Sequence, residues 1–242
     1  MFDRPSPNCG PRRDGLRPSL IVLHYTAMQS AQAALARLCD PAAEVSAHYL
    51  IANDGQVTQM VPEDQRAWHA GAGEWQGQAD VNSRSIGIEL DNTGHHPFGE
   101  PQMAALESLL GAVMQRWAIP PEGVIGHSDM APGRKSDPGP RFDWARLARL
   151  GLAGGASGAP APATVTEADF RQAAAAAGFT ADVDLGTLLV ATRLRFAPWR
   201  RGPLCPADIA LHHGFCLRLW LLLAKNTPRG ASCPFHPLTG PP

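Results

Sequence analysis

Lysine is nearly absent from this 242-residue chain. There are two, Lys135 and Lys225, and arginine carries the rest of the basic charge. Lysine and arginine together number 21 against 22 acidic residues, a formal net charge of −1. No basic footprint spans the sequence, so nucleic acid is not an expected partner. The five cysteines (Cys9, Cys39, Cys205, Cys216, Cys233) are scattered, odd in number and form no C-x-x-C. That excludes a disulfide framework and a thiolate zinc site, and it suits a reducing compartment. Long apolar runs are missing too. The longest late stretch, Phe215 to Ala224, is interrupted by Arg218 and falls short of a membrane span. Met1 to Pro5 contains no apolar run of the kind a secretory signal needs, so a cytoplasmic location is expected. A start upstream of Met1 would instead allow a periplasmic or envelope location. H-E-x-x-H, G-x-S-x-G, a P-loop and G-x-G-x-x-G are all lacking, which leaves nothing to cradle a nucleotide.

Apolar residues make up 44% of the chain, enough for a sizeable core in a globular protein of this length. Residues 151–164, GLAGGASGAPAPAT, hold four Gly, five Ala and two Pro with no amphipathic period. An N-terminal domain over 1–150, a flexible linker over 151–165 and a small helical domain over 166–224 are therefore expected. Residues 225–242, rich in proline, read as a disordered tail. From Phe215 the chain turns abruptly apolar and then proline-rich, so residues 213–242 read as a lineage-specific tail or an altered reading frame.

In the first region, Ser19 to Leu23 is a short continuous apolar run, the pattern of a strand buried on both faces. Ser30 can cap a helix with Ala31, Ala34, Leu35 and Leu38 on one side. Residues 48–52 and 56–61 around Asn53-Asp54-Gly55 read as a β-hairpin. Along 85–90, Ile86, Ile88 and Leu90 share one face and Glu89 points to the other. A long helix is expected from Pro101, with Met103, Leu106, Leu110, Val113 and Trp117 at helical spacing. Val124-Ile125 is a short strand, and Trp144 to Leu150 a helix closed by Gly151. The fold class is α/β: a mixed central sheet flanked by helices. In the second region Thr166 to Asp169 forms a capping-box pattern, Leu185, Leu188, Leu189 and Leu194 mark a second helix, and Pro206 can open a third.

His24 and His127 each follow an apolar strand, and Asp137 comes ten residues after His127 in a loop stiffened by Pro and Gly. Loops beyond strand ends are where an α/β sheet assembles a site. Two His and one Asp are a permissible catalytic zinc set that leaves a position for water. On spacing alone, a hydrogen-bonding or core role is the commoner one for a histidine at a strand end, and the metal reading stays open beside it.

Five segments in order carry more than spacing does: LHYTA (23–27), SAHYLIANDG (46–55), AWHAG (67–71), NSRSIGIELDN (82–92) and GHSDMAPGRKSDPGP (126–140). Together they resemble the zinc-dependent N-acetylmuramoyl-L-alanine amidases, the AmpD/AmiD branch in particular, whose fold is shared with peptidoglycan recognition proteins. The resemblance covers roughly residues 18–150. It implies one zinc per chain held by His24, His127 and Asp137. Glu89 is implied as the general base, and Lys135 as the cation that stabilises the oxyanion. Phage-type members carry a catalytic Tyr before the hairpin His and a Cys as third ligand. Here those places hold Ala47 and Asp137.

By the same resemblance Trp68, His69, Asn82, Arg84 and His48 are expected on the substrate side. Trp68 suits the flat face of a sugar, and Asn82 and Arg84 suit peptide carbonyls and carboxylates. Core packing is the competing reading for Trp68, and a structural role near the site for His48. His95 and His96 read as a surface loop. The resemblance implies hydrolysis of the amide between N-acetylmuramic acid, in its 1,6-anhydro form, and L-alanine, in cell-wall recycling or remodelling. The expected partners are muropeptides, acted on by a monomer. A non-catalytic peptidoglycan recognition protein on the same fold is the alternative, and a zinc hydrolase of another amide is a third.

Overall fold

The computed structural model describes residues 4–156 and 160–210. His212, His213, His236 and the expected tail therefore lie outside the described residues, as does the end of the expected helical region. In chain order the strands are β1 (Cys9–Pro11), β2 (Leu20–Tyr25), β3 (Tyr49–Ile51), β4 (Val57–Gln59), β5 (Gln65–Ala67), β6 (Ser85–Leu90) and β7 (Val124–Gly126). The helices are α1 (Ala31–Leu38), α2 (Val81–Arg84), α3 (Glu100–Trp117), α4 (His127–Met130), α5 (Trp144–Arg149), α6 (Glu167–Ala176), α7 (Leu185–Phe196) and α8 (Pro206–Ala210).

Five strands form one mixed sheet in the order β4-β3-β6-β2-β7, parallel except for the β3–β4 hairpin at its edge. The hairpin turns through Gly55, whose φ of +90° and lack of room for a Cβ (2.7 Å from the Pro101 carbonyl oxygen) both require glycine. β1 and β5 pair separately as a two-stranded antiparallel sheet. Three-residue strands carry too short a period to be read from sequence.

Period-two alternation divides the core. Ile21 and Leu23 of β2 with Ile86, Ile88 and Leu90 of β6 pack on Met103, Leu106, Leu110 and Val113 of α3. Leu20 and Val22 face the other side, with Ile125. There they meet Phe170 and Ala174 of α6 and Leu188, Leu189 and Phe196 of α7, in one continuous cluster. A third cluster joins Ala34 and Leu38 of α1 to Leu50, Met60 and Ala67. The face of the sheet opposite α3 is thus shared between α1 and the C-terminal helices.

The segment after α5 does not leave the surface at once. Ala153 is buried, and the amide of Gly154 donates to the Pro121 carbonyl. α6 begins at Thr166, whose side chain accepts from the Asp169 amide and completes a capping box. α7 is buried on most sides, Arg193 and Arg195 included, whereas Val190 is exposed and Leu194 half-buried. Arg195 crosses to the sheet. Its guanidinium donates to Asp129 of α4 and to the carbonyls of Val124 and Gly154, and it stacks 3.6 Å from the Trp144 ring centroid. Among the described residues the cysteines Cys9, Cys39 and Cys205 are free thiols, and no helix is long and apolar enough to cross a membrane.

Candidate metal centre

β2 and β7 are parallel neighbours, so their C-terminal ends deliver His24 and His127 to the same edge of the sheet. Asp137 returns to them because its own carbonyl accepts the Ser128 amide at 2.9 Å, closing the loop over α4. Within that loop the amides of Arg134 and Lys135 both donate to the Ala131 carbonyl. Nδ1 of His24 lies 2.9 Å from Nδ1 of His127 and 2.9 Å from Oδ2 of Asp137, and the third side of the triangle is 3.0 Å. All three residues are buried, and they are the one such cluster of potential metal ligands among the described residues.

The chemistry of this donor set can be tested for a cation. Nε2 of His127 sits 2.8 Å from the Ala70 carbonyl oxygen, which only accepts, so the ring carries its proton there. A neutral His127 therefore presents a bare Nδ1 lone pair to a carboxylate oxygen. Burial pushes His24 down to about 4 against the opposing pull of Asp137. Burial would raise the Asp137 carboxyl, but the two imidazoles packed against it hold it far below the usual carboxylate range. Three electron-pair donors drawn this close fit a cation among them, and two imidazoles with one carboxylate suit a divalent ion such as zinc.

Glu89 is the β6 partner of His24 in register, and alternation turns both to the face away from α3. It lines the same cleft as His24, His127 and Asp137, and so does Lys135 of the Asp137 loop. Oε2 of Glu89 is buried with no hydrogen-bond partner among the described residues. Burial first, then the charge of Asp137, raises its carboxyl to about 8, with Lys135 pulling the other way. A raised acid beside a ligand cluster in a cleft marks a candidate proton carrier.

The expected substrate-side residues are not all brought to this cleft. His69 lines it, but its ring lies behind His24, with Nδ1 at 3.0 Å from His24 Nε2. Asn82 is buried, and its Oδ1 accepts the amides of His69 and Ala70. His48 is fully buried: its Nδ1 accepts the Gly87 amide and its Nε2 donates to the Gln65 carbonyl. Asn82 Oδ1 and both ring nitrogens of His48 meet backbone, and neither residue is among those that line the cleft. Trp68 is half-buried, with its amide bonded to Ser46 Oγ, and it lies outside the residues lining the cleft. Arg84 ends α2 and is likewise outside that lining.

Sequence reasoning missed Arg134, which donates to the carbonyls of Ala70 and Ala72 and so clamps the 70–72 segment against the Asp137 loop. Its neighbour Lys135 drew the attention, while Arg134 had no spacing signal of its own. The α1 wall of the cleft, with Ala34, Arg37 and Leu38, was also not anticipated.

Comparison with known proteins agrees with this geometry. The profile of the N-acetylmuramoyl-L-alanine amidase family matches residues 14–140. The chain is 40% identical over 152 residues to N-acetylmuramoyl-L-alanine amidase AmiD of Escherichia coli, covering 56% of this chain and 54% of that protein. It thus spans about half the length of that relative. Identity is 38% over 163 residues to 1,6-anhydro-N-acetylmuramyl-L-alanine amidase AmpD of Citrobacter freundii, covering 60% and 87%. Among solved structures, the complex of AmiD from E. coli with anhydro-N-acetylmuramic acid-L-Ala-D-γ-Glu-L-Lys superposes with a TM-score of 0.74. Its identity is 31%, and the match covers 85% of this chain and 91% of that one.

Proposed function

The chain belongs to the N-acetylmuramoyl-L-alanine amidase family, and on that premise we propose how its cleft works. The protein hydrolyses the amide between the lactyl group of N-acetylmuramic acid and L-alanine in peptidoglycan fragments, the 1,6-anhydro form foremost. His24, His127 and Asp137 hold one zinc ion per chain. Zinc bound there supplies Lewis acidity toward a carbonyl and makes water acidic enough to lose a proton near neutral pH.

Glu89 takes a proton from the attacking water at its carboxylate. As the new C–O bond forms and the C–N bond breaks, it returns that proton to the leaving alanine nitrogen. Lys135 faces the oxygen on which negative charge accumulates, a contribution on the order of 3 kcal/mol. The observation that carries this reading is Glu89 itself. It is a half-buried carboxyl group in the cleft, raised to about 8, with Oε2 unpartnered among the described residues, and it lies in register with His24.

The experiment incubates the purified chain with an anhydro-muropeptide and an intact muropeptide, with and without a chelator, and reads the products by mass spectrometry. Free stem peptide should appear, vanish with the chelator and return with added zinc. Glu89→Gln should slow turnover by about 10²- to 10⁴-fold while zinc content stays the same. No release from metal-loaded protein would overturn the amidase reading in favour of a recognition protein. Recycling and envelope remodelling predict opposite preferences between the two substrates.

A further inference from the structure

Behind His24 runs a chain of polar contacts that ends on backbone. Ser85 Oγ lies 2.5 Å from the Val81 carbonyl oxygen, 3.2 Å from Nε2 of His69, and the other ring nitrogen of His69 lies 3.0 Å from Nε2 of His24. The direction of every bond follows from its far end. The Val81 carbonyl can only accept, so the Ser85 hydroxyl proton is spent on it. Ser85 Oγ must then accept, which puts the His69 proton on Nε2 and leaves its Nδ1 as a lone pair. That lone pair accepts from His24 Nε2–H. His24 is left with a bare Nδ1, the atom directed at His127 and Asp137.

We propose that His69 and Ser85 are positioning residues of the metal centre, which fix the tautomer and ring orientation of His24. The inference rests on the reading of His24, His127 and Asp137 as metal ligands, and it departs from the substrate-side role expected for His69. Two further observations support it. Gly87 in the neighbouring strand has no Cβ, and one built there would fall on the His69 ring, so the S-I-G-I-E glycine makes the seat for that ring. Asn82 Oδ1 holds the amides of both His69 and Ala70, and the Ala70 carbonyl accepts His127 Nε2–H. One clamped dipeptide therefore orients both ligating rings, His24 through a side chain and His127 through a carbonyl. Groups behind a metal-bound histidine commonly do this work, and losing one costs about 10- to 100-fold in metal affinity.

The test is zinc affinity, measured by competition with a chromophoric chelator, alongside the melting temperature of the metal-free protein. His69→Leu removes the acceptor and should weaken zinc binding by about 10- to 100-fold. His69→Asn places an amide oxygen where Nδ1 was and should bind zinc within a few-fold of the parent protein. His69→Gln places its oxygen further out and should bind more weakly than the Asn variant. A purely structural histidine would show affinity losses that follow the melting temperature and ignore the position of the oxygen. Equal affinity in the Leu variant and the parent would overturn the proposal, and so would equal weakness in Asn and Gln. Asp137→Ala separates this from the underlying reading. If it too binds zinc like the parent, the ligand set has failed, and if it alone loses zinc, only the role of His69 has.

Discussion

The short helix α4 stands between two buried carboxylates that are satisfied in opposite ways. At its start, Asp137 faces the Nδ1 atoms of His24 and His127, three acceptors that fit a cation the chain does not supply. On its other side, Asp129 accepts the Gly126 amide at 2.8 Å and meets the guanidinium of Arg195 at 3.0 Å, a cation supplied by α7. Both clusters hang on residues within one turn, yet one is closed by the polypeptide and the other is open to a ligand. A buried charge completed from within is scaffold, while one left short of a counter-charge is where chemistry enters.

Emptying the open cluster should have the largest effect. Asp137→Ala is expected to abolish stoichiometric zinc and bring turnover below detection. A chelator should lower the melting temperature of the parent protein, because a ligand that binds the folded form stabilises it, and should leave that of Asp137→Ala unmoved. Retained zinc in the variant, read by elemental analysis, would transfer the third ligand elsewhere.

Breaking the closed cluster should cost stability and leave the metal stoichiometry intact. Arg195→Met strands the Asp129 charge, a loss of about 3 to 5 kcal/mol for a buried pair. The pair is imperfect, since Arg195 Nε and Asp129 Oδ1 are buried without partners among the described residues. Adding Asp129→Asn keeps an acceptor for the Gly126 amide and removes the stranded charge, so the double variant should recover more than half of the loss in urea unfolding. Equal stability of single and double variants would show that Arg195 acts through its carbonyl contacts and the Trp144 face.

Such a contrast was half legible in the sequence. The sheet could be read because β2 is a short continuous apolar run, β6 alternates and α3 keeps a helical period. His24, His127 and Asp137 are expected as ligands from the resemblance of the five segments, since their spacing alone leaves other roles open. Arg195 could not be read, since an arginine beside Phe196 on a helix looks like a solvated flank, and its partner is 66 residues away. His69, Asn82 and His48 lay in recognisable motifs, but no spacing says that a ring sits behind a neighbour and not before a ligand. Only the seat made by Gly87 in an adjacent strand decides that for His69. The linker composition suggested a separate module. What that composition could not show is the cluster joining Phe170 and Leu188 to Val22 and Ile125, which packs the helices directly on the sheet.

His48 sharpens the contrast from the side of pH. It is a buried polar group completed by backbone, and burial pushes it down to about 3. An unfolded chain would take up that proton near 6.5. Between those values the unfolded state binds more protons, so stability is lost as pH falls below 6.5 and levels off below about 3. From pH 6.5 to 5.5 this one group should cost about 1 kcal/mol. His48→Asn keeps an acceptor for the Gly87 amide and should flatten the slope in metal-free protein. An unchanged slope would assign the acid sensitivity to other groups.

The smallest effect addresses whether α6 to α8 fold with the sheet or apart from it. Thr166 caps α6, and Thr166→Ala should cost about 1 kcal/mol. Where that loss appears is the informative part. In a single cooperative unit, the change shifts one melting transition, followed equally by circular dichroism and by loss of bound metal. In a separable module, the helices melt first and the metal centre keeps its own midpoint. The continuous core beneath Phe170 and the buried reach of Arg195 to Asp129 argue for the single transition, because opening α7 would expose the back of the helix that carries His127. A split transition would mean that this packing is present in the native state yet contributes little to holding the ligands in place.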